Sequence, residues 1–233
     1  MKDNDIRIAV EKELDWEPRV NSQDISVTVS DGVVMLRGEV DSYAQTHEAV
    51  WAAGRVHGVK GVVDHLEVTV AGADERNDED IAGAAATAIL WNAEVPVGSV
   101  RISVERGRVS LEGMVDHQFQ RQAADCSVRY LTGVRDISNH IAVKPHADHR
   151  LLRAGLEAAL VRNAELDSHQ IRVEASTDQV ILRGNVPSLR QREEAESAAW
   201  ASPGVCHVDN HILVGPSWAQ GLQQLELLES RAI

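Results

Sequence analysis

Residues 133–143, GVRDISNHIAV, have two near-copies in the same chain: GVKGVVDHLEV at 58–68 and GVCHVDNHILV at 204–214. Each opens on Gly-Val, runs into an alternation of aliphatic and polar residues, and carries a histidine at the same place, His65, His140 and His211. Outward from these strings the match continues. Residues 5–68, 80–143 and 151–214 lie over one another without a gap, at offsets of 75 and 71. Gly38, Gly113 and Gly184 coincide, as do Leu36, Leu111 and Leu182, Val40, Val115 and Val186, and Ala49, Ala124 and Ala195. Self-similarity at a fixed spacing is the signature of a repeated folding unit. The histidine recurs because the unit recurs.

Within each unit the apolar period changes in a fixed order. Ile6, Ala9, Val10 and Leu14 follow helical spacing, as do Ile81, Ala84, Ala85, Ala88 and Ile89, and then Leu152, Gly155, Leu156, Ala159 and Leu160. Strand alternation follows at Ile25, Val27 and Val29, and again at Val34, Leu36 and Val40, with Asp31-Gly32 between. Asp-Gly between two alternating runs predicts a tight hairpin. The counterparts are Arg106-Gly107 and Thr177-Asp178, the last without a glycine and expected to be the more strained. A second helix is signalled by Ser42 with Gln45, Ser188 with Gln191, and Asp116-His117 with Gln120, which fit a capping box. Its small inward stripe, Ala49, Ala52, Ala53 and Val56, implies close packing on the sheet, and Gly58 ends it. The last strand alternates at Val62, Asp64, Leu66 and Val68. The order is αββαβ, in three units of about 64 residues, a feasible size for a small core. The linkers are 69–79 and 144–150. After 214, Gly215-Pro216 breaks the strand, and Trp218, Leu222, Leu225 and Leu228 predict an amphipathic helix in the tail at 215–233.

Composition narrows the function classes. The chain has 233 residues, a net charge of −13 and only 3% aromatics, five of them Trp. An acidic chain repels phosphate backbones, so nucleic acid is not an expected partner. Cys126 and Cys206 are too few for a disulfide framework and are expected as free thiols. The N-terminal MKDNDIRIAVEKELDW lacks the apolar core and cleavage site of a signal peptide, and no stretch reaches the length of a membrane span. A cytoplasmic location is expected.

The αββαβ order, the LRGEV, LEGMV and LRGNV strands with their central glycine, and the three Gly-Val…His strings together resemble the BON domain. The resemblance covers nearly the whole chain as three tandem modules at 5–68, 80–143 and 151–214. It implies an α+β class, each module a three-stranded mixed sheet packed by two helices. It also implies a non-catalytic module of the kind found in osmotically inducible envelope proteins, often credited with binding phospholipid or envelope surfaces. It brings no catalytic motif to these residues.

The site-like motifs reduce to structural ones. His65, His140 and His211 lie on the strand face opposite Val62, Leu66 and Val68, and three separately linked units have no reason to bring them to one ion. Asp64, Asn139 and Asn210 are expected to face inward and satisfy backbone groups. HEAVW at 47–51 lacks the second histidine of a zinc-protease motif, and DEDIAG at 78–83 lacks the closing Glu of a calcium loop, reading instead as an acidic helix start. No catalytic residue, cofactor or metal site is expected.

What remains is a surface. Trp51 lies nearly opposite the inward stripe of its helix, and Trp16 and Trp91 hold equivalent places at the end of the first helix. The unit at 80–143 sets six arginines against seven acids, where the unit at 5–68 sets six basic residues against twelve acids. Its Arg106 and Arg108 flank the hairpin glycine and are expected to project together, while Arg129 and Arg135 bracket the end of its second helix. These residues, with Trp51 and Trp91, form the candidate interaction surface. The expected function is interaction in a stress or osmotic-response setting, through a protein partner or self-association, with an anionic phospholipid surface as the alternative. The tail at 218–230 is expected to pack on a neighbouring unit or a second chain.

Overall fold

The computed structural model describes residues 2–70, 72, 75–144, 171–175, 179–201 and 205–215. The first helix of the third unit, the Thr177-Asp178 turn and the tail helix lie outside the described residues.

In the first unit, helix α1 spans Asp3–Trp16, strands β1 and β2 span Ile25–Ser30 and Val33–Val40, helix α2 spans Tyr43–Arg55, and β3 spans Gly61–Val68. The second unit repeats the order with α3 at Asp78–Trp91, β4 at Val100–Glu105, β5 at Arg108–Val115, α4 at Gln118–Arg129 and β6 at Asp136–Val143. The third contributes β7 at Ile171–Ala175, β8 at Gln179–Val186, α5 at Leu189–Trp200 and β9 at His207–Val214. Each unit has its own three-stranded mixed sheet. Its middle strand pairs antiparallel with the hairpin partner and parallel with the strand that follows the second helix. This is the α+β repeat that the apolar periods predict.

One core lies under each sheet. In the first, Ile6, Val10 and Leu14 from α1 and Ala49, Ala52 and Ala53 from α2 close over Val34 and Leu36. The second has Ile81, Ala85 and Ile89 with Ala124 and Val128 over Val109 and Leu111. In the third, Ala195 and Ala199 cover Val180 and Leu182. Ala84, expected on the inward stripe, is exposed instead: the buried face of α3 is confined to Ile81, Ala85 and Ile89. Truncating a fully buried leucine such as Leu36 to alanine removes about 2–5 kcal/mol in cores of this kind.

The central glycine is forced by a close approach. Gly38 and Gly113 have φ of +140° and +152°, and a Cβ on them would sit 1.8 and 2.0 Å from the carbonyl oxygens of Asp24 and Ser99. The chain entering the hairpin crosses directly over this point, so no side chain fits.

The hairpins turn through two residues of positive φ, Asp31-Gly32 and Arg106-Gly107, as a type I′ turn requires. An acid at the start of the first helix clasps each. Asp3 accepts from the amides of Asp31 (2.8 Å) and Gly32 (3.0 Å), and Asp78 accepts from those of Arg106 and Gly107, both at 2.8 Å. The start of α3 is capped by Asn77, which accepts from the Asp80 amide at 2.8 Å.

The capping boxes are half-formed. Ser42 and Ser188 accept from the Gln45 and Gln191 amides, while Gln45 accepts from Asn21 instead of reaching back to Ser42. The second unit supplies the other half: Gln120 accepts from the amides of Asp116 and His117.

Candidate interaction site

The sheet face away from the helices carries the three histidines, each on its own sheet and exposed. His65 is paired in register with Arg37, His140 with Glu112 and His211 with Arg183. His211 Nε2 lies 3.0 Å from Asp209 on the same face. Among the described residues, no three His, Cys, Asp or Glu side chains gather as a metal would require, and neither cysteine forms a disulfide.

The asparagine positions differ from the inward burial expected of them. Asn139 and Asn210 are half-buried and Asp64 is exposed. Asn139 and Asn210 each accept from the amide two residues on, 3.1 Å away, and each donates to a carbonyl of the second helix. That helix answers: Arg121 donates to the carbonyl of Asn139 at 3.2 Å and Arg192 to that of Asn210 at 3.3 Å. The first unit has Thr46 and Asp64 in these places, and the buried Thr46 hydroxyl has no hydrogen-bond partner.

The second helices carry contacts between units. Tyr43, the first residue of α2, packs against the core of the second unit. Leu189, the first residue of α5, packs against the core of the first, its Cδ2 at 3.4 Å from where a Cβ on Gly54 would stand. Positions 43 and 189 are equivalent in the repeat, so one head-to-tail contact is used twice. Beside Tyr43, Glu48 is 5% exposed, ion-paired with Arg19 at 2.8 Å, and accepts from the Tyr130 hydroxyl of the second unit at 3.0 Å. Arg19 continues to Glu17 (3.0 Å), and Glu17 to Arg55 (3.2 Å), which also pairs with Glu13 at 2.9 Å. The Arg19 guanidinium holds the Glu17 carboxyl below its ordinary range, and the bond to Glu48 raises the Tyr130 phenol. Burial, and then the Arg129 charge, lower the pKa of His47.

This network was not anticipated. Its one sequence signal is that Glu48 stands four residues before Ala52, on the inward face of its helix. Trp51 lies at the other junction. It is 43% exposed, stacked under the Arg55 guanidinium at 4.2 Å, and lines a cleft of about 150 Å³ with Arg190, Glu193, Glu194 and Ser197 of the third unit.

The four arginines are engaged in different ways. Arg108 pairs with Asp136 at 2.8 Å. Arg129 is mostly buried and bonded to Asp125 within its own helix. Only Arg106 and Arg135 converge, on a pocket of about 290 Å³ that they share with Arg76 from the linker. Trp16 and Trp91 are the most conspicuous apolar groups. Both are 83% exposed, and Trp91 is followed by exposed Val97 and preceded by exposed Leu90.

Three mixed three-stranded sheets, each packed by helices, make this a repeat-built α+β protein. The chain belongs to the BON domain family, whose sequence model matches residues 2–70, 77–145 and 148–216. Osmotically-inducible protein Y of Escherichia coli (strain K12) is 35% identical over 150 residues, 62% of this chain and 74% of that protein. Among solved structures, CdsD, a structural protein of the Type III secretion system of Chlamydia trachomatis, aligns over 95% of this chain and 97% of its own, at 16% identity and a TM-score of 0.26. The PrgH periplasmic domain aligns over 84% and 97%, at 12% identity and a TM-score of 0.22. No helix among the described residues is long and apolar enough to cross a membrane.

Proposed function

We propose that this chain is a non-catalytic interaction protein of the osmotic or wider stress response, which binds a protein partner or a second copy of itself through its tryptophan-tipped helix ends. The observation that carries this is the equivalent exposure of Trp16 and Trp91, each 83% open to solvent. A tryptophan that meets water at two equivalent places contributes nothing to its own core, whereas burial in a partner would stabilise a complex strongly. The stress setting is supported by the 35% identity to Osmotically-inducible protein Y. The test is sedimentation velocity over a range of concentrations, comparing the parent with Trp16→Ser/Trp91→Ser. Concentration-dependent assembly that the double variant lacks supports self-association. A parent that stays monomeric, and whose capture of defined proteins from osmotically shifted cells the double variant leaves unchanged, rejects the reading.

One observation favours a lipid surface instead. Leu90, Trp91 and Val97 are exposed apolar residues at and just after the end of α3 in the second unit, the unit with the nearest balance of basic and acidic residues. Amphipathic tryptophan suits the boundary between headgroups and chains. The net charge of −13 opposes docking on an anionic bilayer. Co-sedimentation with vesicles at low and physiological salt separates the two readings.

A further inference from the structure

Two contacts between units are copies of one another, position by position. From the first unit to the second, Tyr43 packs on the second core within reach of the Arg129 charge. His47 faces Arg129 as well, and Glu48 accepts from Tyr130. From the third unit to the first, Leu189 packs beside Gly54, and Glu193 and Glu194 line one cleft with Gly54 and Arg55. At the repeat offsets of 75 and 71, Leu189, Glu193 and Glu194 stand where Tyr43, His47 and Glu48 do, and Gly54 and Arg55 where Arg129 and Tyr130 do. The start of one second helix is therefore laid on the end of another, twice, in the same register.

A contact between two different surfaces either closes on itself or runs on as an open string. Here it runs from the third unit to the first and from the first to the second. The next step in the same sense would lay the start of α4 on the end of α5, and three details suit that pairing. Where the incoming helix brings an acid, the facing end supplies a donor: Glu48 meets Tyr130, and Glu194 shares its cleft with Arg55. In the remaining pair both positions are alanine, Ala123 and Ala201, so neither an acid nor its partner is stranded. Gln118, at the place of Tyr43 and Leu189, has its side-chain oxygen shut off from solvent with no hydrogen-bond partner among the described residues, as a covered residue would. Trp200, at the place of Gly54 and Arg129, is half-buried against the third core, unlike Trp16 and Trp91. Where Gly54 leaves room for Leu189, Trp200 supplies the apolar bulk itself.

From this register we infer that the chain closes into a ring of three units, the third contact being made by Gln118 and Ala123 of the second unit against Trp200 and Ala201 of the third. A closed ring has rotation without rise, so equivalent residues lie on one side of it. Trp16 and Trp91 then open towards the same side and can enter one partner together, which adds avidity to each single contact. That consequence rests on the tryptophan-based association proposed above; the ring itself does not.

The ring is tested on the full chain by thiol cross-linking. Ser197 lines the cleft opposite Trp51. By the offset of 71, Ser197 itself holds the Trp51 place in the third contact, and Cys126, a free exposed thiol, holds the Ser197 place. The variant Ser197→Cys/Cys206→Ser thus sets two thiols on one cleft, and Ser26→Cys/Cys206→Ser sets one on an exposed position of the first sheet as a control. Both are treated with a short bis-maleimide in dilute solution, and the products are read by intact mass and peptide mapping after the melting profile has checked folding. A bridge within one chain, formed about tenfold or more faster than in the control because the thiols are held together, is expected. Adding Gln118→Glu, which suits a helix start but sets a charge against the indole, should slow it. A bridge that forms only between two chains and rises with concentration overturns the ring, and so does a bridge no faster than the control. Trp16→Ser/Trp91→Ser leaves the bridge in place however that variant sediments, so failure of the ring and failure of the tryptophan-based association are read apart.

Discussion

Glu48 of the first unit and Tyr130 of the second are joined by a hydrogen bond of 3.0 Å, 82 residues apart in sequence, and Arg19 neutralises the buried carboxylate from the other side at 2.8 Å. A carboxylate only 5% exposed is tolerable because it is paired and hydrogen-bonded at once. The pair ties the first unit to the second at the point where Tyr43 enters the second core.

Removing the phenol hydroxyl should therefore loosen the junction without unfolding either unit. Tyr130→Phe is expected to cost about 1.5 kcal/mol, the low end for a hydrogen bond to a charged group because Tyr130 is half exposed. Hydrogen exchange should show faster labelling at the start of α2 and the end of α4, with the sheets unchanged. Unaltered exchange there would show that the bond contributes nothing to the junction.

The glycine of the middle strand should be irreplaceable. Gly113→Ala places a Cβ 2.0 Å from the Ser99 carbonyl oxygen at a φ of +152°. A loss on the order of 3 kcal/mol or more is expected, confined to the second unit. Native-state hydrogen exchange should show residues 100–115 losing protection while residues 25–40 keep theirs.

The clasp of Asp78 on the turn should titrate. The amides of Gly107 and Arg106 lower its pKa, so its stabilising effect is fully present above the unfolded value of about 3.9. It is lost as pH falls through the lower folded value. The amide resonances of Arg106 and Gly107 should move together with a midpoint below about 3.9, and Asp78→Asn should abolish that movement. A midpoint at or above that value would contradict the clasp.

His47 should make the junction sensitive to mild acid. Burial and the facing Arg129 lower its pKa, against the opposing pull of Glu48 and Asp125. The unfolded or separated form takes its proton near pH 6.5, before the folded form does. Stability is thus full above about pH 6.5 and declines as pH falls toward the folded value. His47→Gln should flatten the dependence of α2 exchange rates on pH over this range.

The surface was less legible than the fold. Trp51 was marked by its place opposite the alanine stripe, and the structure puts it beside the third unit, stacked with Arg55. In sequence, Arg106 and Arg108 flank the hairpin glycine and Arg129 and Arg135 bracket the end of the second helix. Yet Arg108 pairs across the parallel strand with Asp136, and Arg129 turns back to Asp125. Arg76 carries no signal in the sequence, since a linker residue has no period to place it.

By itself the sequence determined the repeat, the αββαβ order and the hairpin turns of the first two units. These rest on local physics: apolar spacing near 3.6 or 2, and two residues able to take positive φ between alternating runs. Only the tertiary structure decided which partners meet from far along the chain. Asp78 reaches a turn 28 residues away, Gly113 is required by the carbonyl that crosses it, and Glu48 accepts from a tyrosine of another unit. Such contacts depend on how finished elements and units pack against one another. The same periodic pattern is compatible with many arrangements of side chains on the faces it leaves open.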